Sequence, residues 1–506
     1  MKNKSILLAL IIAVFSNTAA FSAGNQFEDF VGTVQSAEDT LNGSVSGLKW
    51  STLEFSWPIL EPFEGRINFE ALEKLKKVVA HNANIGISTV PVLTGTPRWA
   101  ARRGGYSYFD SENIYQIGPV KNIKNGMFER DVIVNDLDGI PSNKETKLFE
   151  MKRTPVDAKK LERWESFVSL IAETFSGEPY NLKYFQIWDE PHPTYGSYYD
   201  GTENFIENIH KPAANIIRQK GAEAVYGGWS NYAPVKELVD ALDKTDSWQE
   251  IGVFNFYYQT VLGLNYFYNE AQKRGLENPY IWETKMNGGP SPSYAALFGP
   301  KLYHWTISRQ AEDDQFKIFW NAWSNLPGPV PSLTQNGERT VHGAQIQAIS
   351  GLLGGETIEP YENYTDTHGL RPTLTETDSS MEAFLIDGKR VVFAIHLLKQ
   401  NVSGVFANAY GDSLHLGVSD SSVHLKLQGI KDVVSAKRID MFGNAKPLEA
   451  KKTEKGFSVQ TSVRDDAVLG ENQNFPEAAA QINGYQYVVT FYIEVESSQP
   501  IENTGL

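Results

Sequence analysis

The chain of 506 residues contains no cysteine. That excludes disulfides, thiolate metal sites and a lipid-linked N-terminal cysteine, so the fold must be held by its core alone. Basic charge is in short supply as well. Lys and Arg number 46 against 61 Asp and Glu, a net charge of -15, which is the wrong sign for a general nucleic-acid binder. Histidines are few, and His81, His192 and His304 lack the helical or strand spacing of a metal site, so neither a metal nor a cofactor is expected. No glycine-rich phosphate turn follows the first strand-like run, which counts against dinucleotide binding. After Trp323 there is no tryptophan at all, which argues against a Trp-platform carbohydrate-binding module near the C-terminus.

The N-terminus reads as an export signal over residues 1–23. Lys2 and Lys4 precede an apolar stretch over residues 6–15, and small residues at Thr18-Ala19-Ala20 or Ala20-Phe21-Ser22 offer a cleavage site. The stretch is too short for a comfortable membrane span, and a retained anchor is the alternative. The expectation is a periplasmic or secreted protein, not a lipoprotein, with no membrane span after cleavage and no obligate protein partner.

Strand-like and helix-like segments alternate over residues 24–355. Strands are predicted at 27–34, 47–55, 85–93, 182–188, 225–229, 253–258, 280–282 and 316–321. Between the second and third, Asn68 reads as an N-cap for a helix carrying Phe69, Leu72, Leu75, Val78 and Val79 on one face. Eight such units fit a (β/α)8 TIM barrel, with an open doubly wound sheet as the competitor. The loop from 94 to about 155 is polar and long enough to wall a cleft. Over residues 356–506 the pattern changes to period-two runs, the signature of a β-sandwich-like C-terminal domain.

Two of the predicted strands end in Trp followed at or within one residue by Glu: Trp188-Asp189-Glu190-Pro191 and Ile281-Trp282-Glu283. A charge at a strand tip destabilises the fold unless it faces a polar cleft. Two such tips suggest paired carboxylates at the C-terminal face of a barrel, the machinery of glycoside hydrolysis. Eight of the eleven tryptophans lie on or just beyond predicted barrel strands, and flat aromatic faces there suit the C–H faces of sugars.

These pieces resemble the retaining glycoside hydrolases of clan A, and family 39 and its relatives most. The likeness covers most of residues 47–355. It rests on Trp188-Asp189-Glu190-Pro191 and Ile281-Trp282-Glu283, with Glu54-Phe55-Ser56-Trp57, Glu61-Pro62, Thr96-Pro97-Arg98-Trp99 and Gly227-Gly228-Trp229. The resemblance implies that Glu190, ending strand four, is the acid/base, and Glu283, ending strand seven, the nucleophile. Asp189 stands where relatives carry an Asn that touches the sugar; a turn or N-cap role is its alternative. Further substrate contacts are expected from Trp99, Glu54, Asn255, Tyr257, Tyr258, Trp282, Trp320 and Trp323, although Tyr257 and Tyr258, as strand neighbours, cannot both face inward. The expected substrate is a β-linked polysaccharide or oligosaccharide. A transglycosylase of the same clan and a barrel that binds a glycan without cleaving it are the rivals.

Overall fold

The computed structural model describes residues 27–33, 48–102, 115–124, 127–134, 155–191, 201–231, 233–286, 293–309, 314–320, 334–335, 338–339, 341–366, 369–374, 379–398, 422–441, 443–462 and 488–503. Eight parallel staves form its first part: β1 (Val31–Thr33), β2 (Trp50–Ser56), β3 (Ser88–Thr94), β4 (Tyr184–Ile187), β5 (Glu223–Val225, continued by Trp229–Ser230), β6 (Val253–Tyr257), β7 (Tyr280–Met286) and β8 (Phe316–Trp320). Each pairs with the next, and β1 pairs with β8, which closes the barrel: Gly32 lies opposite Trp50 on one side and Phe319 on the other.

Alternation along these strands sorts the side chains. Trp50, Val90, Val225, Val253, Trp282 and Phe319 form an apolar floor inside the barrel, with Tyr184 and Tyr280 packed against it. Leu53, Phe55, Phe254, Phe256, Ile281 and Ile318 face outward into the larger core shared with the helices. One of those helices is Phe69–Asn84, where Asn68 Oδ1 accepts from Ala71 N at 3.1 Å and Leu72, Leu75, Val78 and Val79 are buried as the period-3.6 pattern requires.

Four predicted elements differ in detail. At the first strand, a helical turn at Phe27–Phe30 precedes β1, because Phe27 and Phe30 pack on Tyr303 with ring centroids 5.2 and 5.3 Å away. Strand five is broken at Gly227-Gly228. Strand seven does not stop at Trp282 but runs on to Met286. Within the 94–155 loop lies an antiparallel hairpin, Tyr115–Lys124 with Met127–Val134.

Beyond Ile358 two antiparallel sheets stack, one of six strands and one of four. Met381, Ala383, Leu385, Val391, Phe393, Ile395, Phe491 and Ile493 fill the space between them. The alternate residues Phe384, Ile386, Val392, Ala394 and Tyr492 belong to the barrel's core cluster. A two-layer sandwich therefore packs one face against the barrel's outer helices, with Phe384 stacked on Tyr303 at 5.9 Å. No helix among the described residues is long and apolar enough to cross a membrane.

Candidate active site

Polar groups replace apolar ones above the barrel floor. Gln186, Asn255 and Thr284 form a closed, fully buried network: Asn255 Nδ2 donates to Thr284 Oγ1 at 2.7 Å, and Thr284 Oγ1 donates to Gln186 Oε1 at 2.9 Å. Gln186 Nε2 donates upward to the Tyr257 hydroxyl at 2.6 Å, and that hydroxyl donates to Asp189 Oδ1 at 2.9 Å. Such satisfied networks fix side-chain positions in a low-dielectric interior.

The segment after β4 is strained into place. Trp188 and Glu190 both have left-handed backbone, φ 74° and 52°, which costs on the order of 1–3 kcal/mol per residue and is held only by its surroundings. Trp188 N donates to Leu93 O at 2.6 Å, and its buried ring packs on Trp164 outside the barrel. Glu190 N donates to Gly227 O at 2.8 Å. The kink presents Asp189 and Glu190, both partly exposed, at the C-terminal mouth. It also explains the glycine pair. A Cβ on Gly227 would lie 2.6 Å from Ile187 O, and one on Gly228, whose φ is 96°, would lie 2.3 Å from Tyr257 Cε1.

A cation completes this cluster. Lys285 Nζ lies 2.5 Å from Asp189 Oδ1 and 4.5 Å above the Tyr257 ring. Burial works against the Lys285 ammonium, but the charges of Asp189, Glu190 and Glu54 and the hydrogen bond to Asp189 outweigh it and raise its pKa. Burial likewise raises the Tyr257 pKa well above its ordinary value, reinforced by Asp189 and Glu190, so the phenol stays protonated and can donate. Glu54 shares a strand face with Trp50 of the floor, while its neighbours Leu53 and Phe55 face outward. The mouth thus gathers Glu54, Asp189 and Glu190 around Lys285.

Glu283 is not among them. It pairs in register with Phe256 and Ile318, both of which face the outer helices. Its side chain is 1% exposed, and Oε1 accepts from Gln259 N at 2.7 Å, beneath the loop that follows β6. The expectation that Glu283 ends its strand at the mouth is therefore corrected: β7 continues three residues further, and mid-strand alternation turns Glu283 away from the lumen. Lys285 holds the tip instead.

The other expected contacts divide. Tyr257, not Tyr258, enters the lumen; Tyr258 is partly exposed, with φ 59°, and its N donates to Lys285 O at 2.9 Å. Asn255 is wholly buried and supports the cluster from below without reaching solvent. Trp282 belongs to the floor at the opposite end, its Nε1 donating to Asp314 O at 2.6 Å, so it cannot stack on a sugar at the mouth. Trp320 is likewise corrected: it is 1% exposed within the outer core. Trp99 follows β3, donates to Glu61 O at 3.0 Å and packs edge-on against Trp57 at 5.4 Å; neither partner is a lumen residue. Trp323 lies outside the described residues. Sequence reasoning passed over Lys285, Gln186 and Thr284; a Gln inside an otherwise apolar strand was the available signal for the second. Among the described residues no group of acidic or histidine side chains could hold a metal ion.

No family model and no curated protein matches the chain. Solved structures do, at the level of fold. A family 39 glycoside hydrolase from the gut symbiont Bacteroides cellulosilyticus WH2 superposes with a TM-score of 0.54 at 10% identity, covering 94% of this chain and 82% of that one. A GH30 endoxylanase from Clostridium papyrosolvens C71 gives 0.53 at 11% identity, covering 94% and 98%. A GH30 subfamily 8 xylanase from Clostridium acetobutylicum gives 0.51 at 10% identity, with the same coverage. The chain shares the barrel-plus-β-domain architecture of these glycoside hydrolases.

Proposed function

We propose that the protein is a glycoside hydrolase that cleaves a β-linked polysaccharide or oligosaccharide with retention, Glu190 delivering a proton to the departing glycosidic oxygen. The observation that carries this reading is the kink after β4. It holds a carboxyl with left-handed backbone at the C-terminal mouth of a closed parallel barrel, the face where such folds place their chemistry. The arrangement also supplies a reason for Glu190 to hold the proton. Asp189 accepts directly from Lys285 and from Tyr257, which favours its ionised form, and like charges crowded at one mouth cannot all ionise at no cost. The likeness in architecture to family 39 and GH30 enzymes supports the same activity class. The 1–23 segment supports export.

One observation favours a second reading, a barrel that binds glycan without cleaving it. Glu283 faces away from the lumen and Lys285 stands at the tip. The two readings separate on a panel of activated aryl β-glycosides, followed by sizing of products from polysaccharides. The hydrolase reading expects phenol release by the wild type and a loss of at least about 100-fold in Glu190→Gln. Saturable oligosaccharide binding in calorimetry, with equal and negligible release by both proteins, would establish the binding reading instead.

A further inference from the structure

The loop that follows β2, at the C-terminal end of the barrel, holds one turn outward. Leu60 O accepts from Asn68 N at 2.8 Å, which closes the loop at its base, and Arg66 N donates to Phe63 O at 2.9 Å, which closes the turn at its tip. Gly65, with φ 72°, takes the left-handed position such a turn needs, and its N donates to the buried Glu61 carboxylate at 2.7 Å. Trp99, following β3, braces the same loop by donating to Glu61 O at 3.0 Å. This fixed turn nevertheless displays apolar surface: Phe63 is 59% exposed, and Phe69, which starts the next helix, is 67% exposed. Phe63 and Arg66 are bridged antiparallel, so their side chains leave the same face of the turn. The other charges of the loop are matched. Both Glu64 oxygens accept from Lys160 at 2.7 Å, and Glu61 pairs with Arg163. Arg66 is exposed and has no ion-pair partner among the described residues.

We propose that the face shared by Phe63 and Arg66 is an outer subsite for an anionic sugar unit of the glycan, one that carries a carboxylate or a sulfate; the inference rests on the hydrolase reading above. The pyranose lays its C–H face on the Phe63 ring. Its anionic group accepts from the Arg66 guanidinium, whose planar fork suits two oxygens at once. Both side chains add little packing to the fold, and a turn already held in place binds without the cost of ordering itself. The position fits a chain that crosses the mouth. β2 neighbours β3, and Leu93 of β3 accepts from Trp188 N of the kink that carries Glu190. Beside Glu190 itself the charges of Glu54 and Asp189 oppose a second anion, with Lys285 committed to Asp189. The rim at Arg66 is where an anionic unit is accommodated.

The test uses the full chain and the acidic polysaccharide it degrades best, beside the same polysaccharide after carboxyl reduction or desulfation. Arg66→Ala is expected to raise KM on the acidic form about tenfold with kcat unchanged, an effect that shrinks at high salt. Release from aryl β-glycosides, too short to reach the rim, stays within about twofold of the wild type. The Arg66 effect vanishes on the reduced form where a carboxylate is bound and on the desulfated form where a sulfate is. Phe63→Ala raises KM on acidic and neutralised forms alike, and Phe63→Trp restores it. A wild-type KM in Arg66→Ala, an equal loss on acidic and neutralised forms, or cleavage of neutral polysaccharides alone overturns the subsite and leaves the hydrolase reading standing. Absence of release by the wild type on every substrate overturns the hydrolase reading. Calorimetry with the acidic polysaccharides then decides the subsite: binding about tenfold weaker in Arg66→Ala supports it, and equal or absent binding overturns it.

Discussion

Lys285 and Glu283 are two residues apart on one strand yet occupy opposite sides of the barrel wall. Regular alternation would place them on the same side. A register shift lies between them: Glu283 is opposite Phe256, while Lys285 is opposite Tyr257. One extra residue on β7 therefore puts Thr284 into the buried network and Lys285 at the mouth, both inward. Bulges re-aim side chains in this way beside functional sites.

The Lys285–Asp189 pair is expected to be worth more than a surface ion pair, because both side chains are largely buried. Lys285→Met leaves Asp189 without its cation and is expected to destabilise the protein by about 2–4 kcal/mol, somewhat under the figure for full burial because of the residual exposure. Adding Asp189→Asn in the same chain should recover part of the loss. Urea denaturation of the four proteins in the cycle measures it. A coupling below about 0.5 kcal/mol would mean that the pair behaves like an exposed one.

Gly228 is required by the Tyr257 ring. Gly228→Ala strains a backbone with φ 96° and places a methyl 2.3 Å from Tyr257 Cε1. The ring cannot yield freely, since Gln186 and Asp189 hold its hydroxyl. The expected cost is about 2–4 kcal/mol, combining left-handed strain with overpacking, together with a clear loss of aryl glycoside release. Thermal unfolding followed by circular dichroism should show a midpoint lower by several degrees. An unshifted midpoint would mean that Tyr257 moves at no cost and does not anchor the cluster.

Glu61 matched the resemblance motif yet serves the scaffold. It is 1% exposed and accepts from Trp57 Nε1 at 2.8 Å, from Gly65 N at 2.7 Å and from Arg163. Glu61→Gln keeps the shape and removes the charge, so about 1–3 kcal/mol should be lost while activity per folded molecule is unchanged. Denaturation midpoints and turnover of the folded fraction check both halves. A drop in turnover without a drop in stability would instead make Glu61 part of the site.

Much of the architecture was legible because it depends on period alone. Phe69 to Val79 declared a helix and its cap, and eight apolar runs declared eight staves. The end of strand four at Asp189-Glu190 was legible too, since a charged pair following Trp188 and preceding Pro191 has no place in a buried strand; its left-handed backbone was not. The face of Glu283 was not. Thr284 and Lys285 look like a turn after Trp282, and nothing local says that the strand continues through them with a bulge. That is decided by pairing with β6 and β8, which are distant in sequence. Trp320 and Trp282 were misread for a related reason: an aromatic ring at a strand suits packing as well as sugar stacking, and only the tertiary layer tells them apart.

His210 gives the fold a dependence on pH away from the site. It is fully buried in the π-helical turn Ile206–His210, with Tyr226 and Phe205 ring centroids at 5.4 and 6.2 Å. Burial lowers its pKa from 6.5 to about 3, so the folded protein keeps the ring neutral. The unfolded chain takes up a proton below pH 6.5 and the folded one does not until about 3, so stability present above that window is lost as pH falls through it. At pH 4.5 the loss from this group should be about 2–3 kcal/mol. His210→Phe removes the titration within an aromatic environment, so its unfolding free energy should fall less than that of the wild type between pH 7.5 and pH 4.5. Urea denaturation at the two values isolates the effect as a difference of differences, to which other titrating carboxylates contribute equally. Parallel pH dependences in the two proteins would show that His210 is protonated, or reached by water, in the native state.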